Sequence, residues 1–205
     1  MNYLQYFPQL TERQQKQLEI LGSTCRDWNE KINVISRRDV DNLDINHILH
    51  SLSIGMFVNF KPGTTVIDLG TGGGFPGLPL AILFPEVNFH LVDRIGKKLK
   101  VAQAIAEACD LKNVTFQHGD FGECKIQADF IVSRAVMPQK ELVKLARKNI
   151  KKINSNSVPN GLISLKGGVL DKELADVGMA SEVVDINTYF PLPFFKTKKI
   201  VYTPI

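Results

Sequence analysis

The chain has 205 residues, of which 44% are apolar and 22% charged, with a net charge of +4. This composition excludes wholesale disorder and a fibrous repeat, and the length suits one domain with room for a small appended part. Cys25, Cys109 and Cys124 are widely spaced and form no CxxC pair. That argues against a disulfide framework or a zinc site, and for reduced thiols.

The opening Met1-Asn2-Tyr3-Leu4-Gln5 has no basic region leading into an apolar run, so no signal peptide is expected. No stretch reaches the ~18 apolar residues of a membrane span. The expectation is a cytoplasmic protein without a membrane partner, acting as a monomer. Charge is uneven along the chain: residues 94–152 hold 13 Lys or Arg against 6 Asp or Glu. A polyanion such as a nucleic acid would bind such a segment, although a solvated lysine face gives the same bias.

Residues 1–59 read as a helical cap. Thr11 with Gln14 makes a capping-box start, and Leu18, Leu21, Cys25, Trp28 and Ile32 follow at helical spacing. A second helix is predicted over about Asp44 to Phe57. Lys61-Pro62-Gly63 is a turn at the boundary with a second unit, residues 60–205. There, strands and helices alternate. Strands are predicted at 65–69, 88–93, 114–117, 129–133 and 161–166, with helices at 79–84, 97–109 and about 139–152. Alternation of this kind gives a doubly wound α/β parallel sheet. Segments 182–185 and 199–202 have no helix between them and suggest an antiparallel edge hairpin, for seven strands in all.

The sharpest feature is the run Asp68-Leu69-Gly70-Thr71-Gly72-Gly73-Gly74-Phe75-Pro76-Gly77. A strand feeding a glycine-rich turn lets backbone approach a ligand without Cβ obstruction. Asp93 ends the next strand, where a carboxylate can accept both hydroxyls of a ribose. Two cofactor classes use such an arrangement. A dinucleotide fingerprint over Gly72, Gly74 and Gly77 fits poorly, because Pro76 and Pro79 stand where its helix begins and no strand directly precedes Gly72. The spacing Asp68-x-Gly70-x-Gly72-x-Gly74 suits the nucleotide loop of S-adenosylmethionine-dependent methyltransferases. That cofactor has no pyrophosphate and so needs no helix N-terminus to hold one.

The run Gly70 to Ala81 resembles the signature of the glucose-inhibited division protein B family, the bacterial 16S rRNA guanine-N7 methyltransferases. Trp28-Asn29-Glu30-Lys31-Ile32-Asn33, His47-Ile48-Leu49-His50-Ser51-Leu52, Leu91-Val92-Asp93, Ser133-Arg134-Ala135 and Leu165-Lys166-Gly167 are similar to further family segments in the same order. Histidine stands at position 50 where the family usually has aspartate, and Arg94 where serine is common. Near the last strand, Lys196, Lys198 and Lys199 stand where the family often has an arginine.

The resemblance implies a Rossmann-like class I methyltransferase sheet, with S-adenosylmethionine as cofactor and S-adenosylhomocysteine as product. It implies 16S rRNA or the small ribosomal subunit as partner. It also implies that Gly70, Gly72, Phe75 and Asp93 bind the cofactor, with Phe121 and Gly122 flanking the adenine beside Asp120. Arg134 and Lys166 end successive strands at the edge where open α/β sheets bind ligands. They are assigned the catalytic positions, with Arg134 also reaching the cofactor. Rival functions are a small-molecule methyltransferase, a non-catalytic nucleotide sensor or scaffold on the same fold, and a nicotinamide oxidoreductase.

His47 and His50 stand three apart on a predicted helix, close enough to share a metal, but no third ligand is spaced to join them. Packing or RNA contact is their reading, and no metal is expected. Trp28 and Asn33 are read as core and helix-end residues. Lys97, Lys98, Lys100, Lys144, Arg147, Lys148, Lys151 and Lys152 are candidates for a phosphate-facing surface.

Overall fold

The computed structural model describes residues 1–134 and 137–205, apart from the side chains of Arg37 and Arg38. Ala135, which closes the Ser133-Arg134-Ala135 segment, lies outside the described residues. The chain builds seven strands: β1 (Thr65–Leu69), β2 (Asn88–Asp93), β3 (Val114–His118), β4 (Phe130–Arg134), β5 (Gly161–Gly167), β6 (Glu182–Asp185) and β7 (Lys198–Pro204). Their order across the sheet is β3-β2-β1-β4-β5-β7-β6. β1 to β5 run parallel, and β7 lies antiparallel between β5 and β6. The predicted hairpin therefore exists, but β6 forms the edge and β7 is an interior strand.

The period-two alternation of strand side chains sorts residues onto two faces. Val66, Phe89, Leu91, Phe130, Val132, Ile163 and Leu165 join one buried cluster. Ile67, Leu69, Val92, Ile131 and Leu162 join a second on the opposite face. The first face is covered by α1 (Glu12–Asn29), α3 (His50–Phe57), α4 (Gly77–Leu83) and α5 (Gly96–Ala108). The second is covered by α6 (Gln139–Ala146) and the segment after β3. Two short helices, α2 (Arg37–Val40) and α7 (Asp171–Ala175), have no counterpart in the sequence reading.

The capping box at α1 is present. Thr11 Oγ1 accepts the Gln14 N–H at 3.2 Å, and Gln14 Oε1 accepts the Thr11 N–H at 2.9 Å. The Gln14 amide also donates to the Ile82 and Leu83 carbonyls, satisfying the free end of α4. One side chain thus starts one helix and ends another. Leu18, Leu21 and Cys25 are fully buried, and the apolar residues of 1–59 share one cluster with those of the sheet.

Two helices differ from expectation. The segment Asp44–Leu49 is a π-helical turn leading into α3, so it supplies an extra-wide turn at Asn46 and His47. The helix expected to reach Lys152 ends at Ala146, followed by a 3₁₀ turn over Arg147–Asn149. Buried Asn149 is the cause: its amide donates to the Cys124 and Ile126 carbonyls, and its own carbonyl accepts the Ala128 N–H. The chain then continues as a parallel bridge between Ala128 and Ile150. This splits the supposed basic face, because Lys151 leaves the helix and pairs with Asp129 at 2.8 Å.

Candidate functional site

The carboxyl ends of β1, β2 and β4 open onto a cavity of about 480 Å3, within the usual range of about 300–1,000 Å3 for small-molecule sites. Its floor is the glycine loop. Gly72 has φ +57, and a Cβ built there meets nothing within 4 Å, so the loop leaves side-chain space open toward the cavity. Gly74 has φ +101, and a Cβ there would lie 2.3 Å from Leu78 Cδ1. The first glycine gives a ligand access; the second lets the loop turn into α4.

Two carboxylates hold this loop from different sides. Asp68 is fully buried; its Oδ2 accepts the Thr71 hydroxyl and the Gly77 N–H, both at 2.7 Å, while Oδ1 has no partner among the described residues. Burial pushes its carboxyl up to about 7, against the opposing pull of those two hydrogen bonds and the Arg134 charge. Asp93 Oδ2 accepts the Gly72 N–H at 2.7 Å and Oδ1 accepts the Ile95 N–H at 2.8 Å. Asp93 therefore does not cap α5, whose cap position is Ile95, and its carboxylate is held at the cavity wall.

The amino-terminal segment closes the cavity from above. Buried Asn29 accepts the Val34 and Ile35 N–H groups at 2.8 and 3.0 Å, which sets Val34 over Gly73. At the inner end, the Arg134 guanidinium lies 5.3 Å from the Phe75 ring centroid and donates to His47 Nδ1 at 2.8 Å. Burial lowers the Arg134 pKa to about 10, so it remains a cation at neutral pH. His47 is pushed down to about 3, first by burial and then by the Arg134 charge. Its ring packs edge-on against Phe75 at 5.4 Å.

The family model for rRNA small subunit methyltransferase G matches residues 14–188. The chain belongs to this family. Two proteins named ribosomal RNA small subunit methyltransferase G show how close family members come. That of Parabacteroides distasonis is 57% identical over 98% of this chain and 87% of its own length. That of Phocaeicola vulgatus is 56% identical over 98% and 97%. Among solved structures, a SAM-dependent methyltransferase from Aquifex aeolicus superposes with a TM-score of 0.59 at 17% identity, over 82% of this chain and 98% of the other. Aeropyrum pernix fibrillarin with S-adenosyl-L-methionine natively bound gives 0.55 at 15% identity, over 76% and 73%. These two likenesses concern the fold, which is the Rossmann-like class I sheet.

Of the residues singled out from the sequence, the cavity gathers Gly70, Gly72, Phe75, Asp93, Asp120, Phe121 and Arg134. Gly122 stands outside its walls: it is exposed, its N–H is held by Asp120 Oδ1, and its carbonyl accepts the Lys148 ammonium. Lys166 does not line this cavity; together with Arg134 it lines a second one. Arg134 pairs with Leu165 across β4 and β5, so Lys166 projects from the opposite face. Its ammonium bonds the Met137 carbonyl at 2.5 Å and Glu173 at 2.8 Å. Arg134 and Lys166 thus leave their strands on opposite faces but meet at the shared edge, where both line that second cavity.

The sequence reading also missed contributors. Val34, Ile95, Lys98 and Met137 line the cavity, and His47 orients Arg134. Lys98 is the one member of the proposed phosphate surface on the cavity wall. Asn33 is exposed, and Asn29 holds the helix end instead. The two asparagines stand four residues apart, one helical turn, and the sequence reading chose the wrong one. Among the described residues no group of three or more His, Cys, Asp or Glu side chains is placed to hold a metal ion. Among the described residues no helix is long and apolar enough to cross a membrane.

Proposed function

We propose that this chain transfers a methyl group from S-adenosylmethionine to N7 of a guanine in the decoding region of 16S rRNA, in the cytoplasm, leaving S-adenosylhomocysteine. The observation that carries the reading is the open glycine loop tied to Asp93, in a chain of the rRNA small subunit methyltransferase G family.

The residues present fit that cofactor. The loop leaves backbone-lined space at Gly72, and Asp93 sits at the cavity wall with lone pairs beyond its two backbone bonds, free for ribose hydroxyls. Buried Phe121 offers an apolar wall for the adenine, with Asp120 beside it. Arg134 supplies fixed positive charge suited to the methionine carboxylate or an RNA phosphate. S-adenosylmethionine, when bound, supplies an electrophilic sulfonium methyl. Guanine N7 carries a free lone pair, so no proton need be removed before attack. What remains for the protein is alignment and exclusion of water, which Val34 serves over the glycine loop and Phe75 and Arg134 serve at the inner end.

Nucleoside mass spectrometry of 16S rRNA from a strain lacking the protein tests this. One 7-methylguanosine should disappear and return with the wild-type gene. Asp93→Ala should weaken cofactor binding about 10- to 100-fold by calorimetry, from the loss of a charged acceptor. An unchanged modification profile in the deletion strain would refute the assignment.

A further inference from the structure

Behind Arg134 lies a second cavity of about 400 Å3, walled in part by Asp39, His47, His50, Phe194 and Lys198. Arg134 and its bonded partner His47 form the partition, since Arg134 lines both cavities. The second space therefore adjoins the one assigned to the cofactor, as an acceptor site must.

His50 is the unexplained group in it. The residue is 5% exposed, and its Nε2 has no hydrogen-bond partner among the described residues. Native proteins rarely keep a buried polar atom without a partner unless it has a use. The ring is well fixed, edge-on to Phe194 at 5.6 Å and to Phe195 at 5.9 Å. Burial, with the Arg134 and Lys198 charges, holds its pKa well below the ordinary histidine value, so the imidazole is neutral. A neutral imidazole with its proton on Nδ1 presents a lone pair at Nε2.

We infer that this cavity receives the acceptor guanine and that His50 Nε2 accepts a hydrogen bond from the guanine's N1–H and N2–H2 edge. This rests on the rRNA guanine reading above. A purine that turns N7 toward the cofactor cavity turns that edge away from it, and His50 lines only the farther cavity. Guanine offers N–H donors there, whereas adenine offers an acceptor at N1, which would face the His50 lone pair without a proton between them. Phe194, under the Lys198 ammonium at 4.9 Å, supplies an apolar wall backed by positive charge. His50 is thus a specificity residue.

The test uses the full chain. Nitrogen-15 NMR of histidine-labelled protein should show a shift of His50 Nε2 on adding GMP, and none with AMP or inorganic phosphate. His50→Leu fills the space without an acceptor and should lower kcat/KM for undermethylated small subunits about 10- to 100-fold, with cofactor affinity and melting temperature unchanged. His50→Gln restores an acceptor oxygen and should recover most of that loss. An equal shift with AMP or phosphate overturns the inference, as does wild-type kcat/KM in His50→Leu. So does a joint loss of cofactor binding in both variants, which would mark His50 as packing. Wild-type protein that modifies no rRNA, yet shifts with GMP alone, would remove the rRNA reading and leave the guanine pocket standing. Normal rRNA methylation without the GMP shift does the reverse.

Discussion

The two cavities that meet at Arg134 are built from different material. The cofactor cavity rests on backbone: the open turn at Gly72, the Gly72 N–H on Asp93, and the Gly77 N–H on Asp68. The second cavity is made largely of side chains brought from the π-helical turn, α2, α3, β4, β5, the segment before β7 and the start of β7. A backbone site depends on local conformation, so one wrong residue distorts the whole loop. A side-chain site is modular, and its members can be exchanged with smaller consequences for the fold.

The largest expected effect follows from that difference. Gly74→Ala puts a Cβ within 2.3 Å of Leu78 at φ +101. Strain and overlap together should cost roughly 2–4 kcal/mol in denaturant unfolding and weaken cofactor binding as well. Lys198→Ala, on the other wall, should leave both unchanged. If Lys198→Ala weakens the cofactor as much as Gly74→Ala does, the two cavities are one site and the contrast fails.

The same contrast explains what was legible in the sequence. The glycine loop and Asp93 lie on consecutive elements, where spacing alone reports the conformation, and the strand–helix alternation gave the sheet. The parallel order of β1 to β5 followed from the same pattern. The early end of α6 did not, because it is imposed by Asn149 binding carbonyls at Cys124 and Ile126. Residues 139–152 are helix-compatible in isolation, and tertiary contacts overrule them. The position of β7 inside the sheet is likewise a choice between two antiparallel pairings that local pattern cannot distinguish. The second cavity escaped notice because its parts are remote in sequence, and the face of Lys166 depends on its register with Arg134.

A smaller effect, opposite in sign across the partition, comes from acidification. Asp68 titrates at about 7 in the folded chain, against 3.8 for the ordinary carboxyl. The native state thus holds a proton that the unfolded chain has lost. This contribution is fully present below about pH 4 and is lost as pH rises through 7. His47 is the reverse: folded at about 3 against 6.5, it contributes stability above 6.5 that is lost as pH falls toward 3. Unfolding free energies between pH 4 and 7 should therefore move in opposite directions on substitution. Relative to wild type, Asp68→Asn should lose the acid-side gain, and His47→Gln should lose the acid-side penalty. Each difference should be a few kcal/mol at most. Parallel pH curves for wild type and both variants would show that neither group is held as described.

The smallest expected effect concerns the reaction itself. N7 needs no deprotonation; His47 stays neutral down to about 3, and burial holds the His50 pKa well below the ordinary histidine value. Arg134 keeps its proton to about 10. Neither wall of the partition then titrates between about pH 7.5 and 9, and single-turnover methyl transfer at saturating RNA and cofactor should be flat there, without the bell of acid–base catalysis. Asp68, which holds the glycine loop, is pushed up to about 7, so a shallow inflection there belongs to the cofactor side. Asp68→Asn should erase that inflection, and His47→Gln should leave it in place. A tenfold rise through neutrality that vanishes in His47→Gln would move the controlling ionisation to the other cavity. It would also mean that the acceptor loses a proton before attack, which guanine N7 does not do.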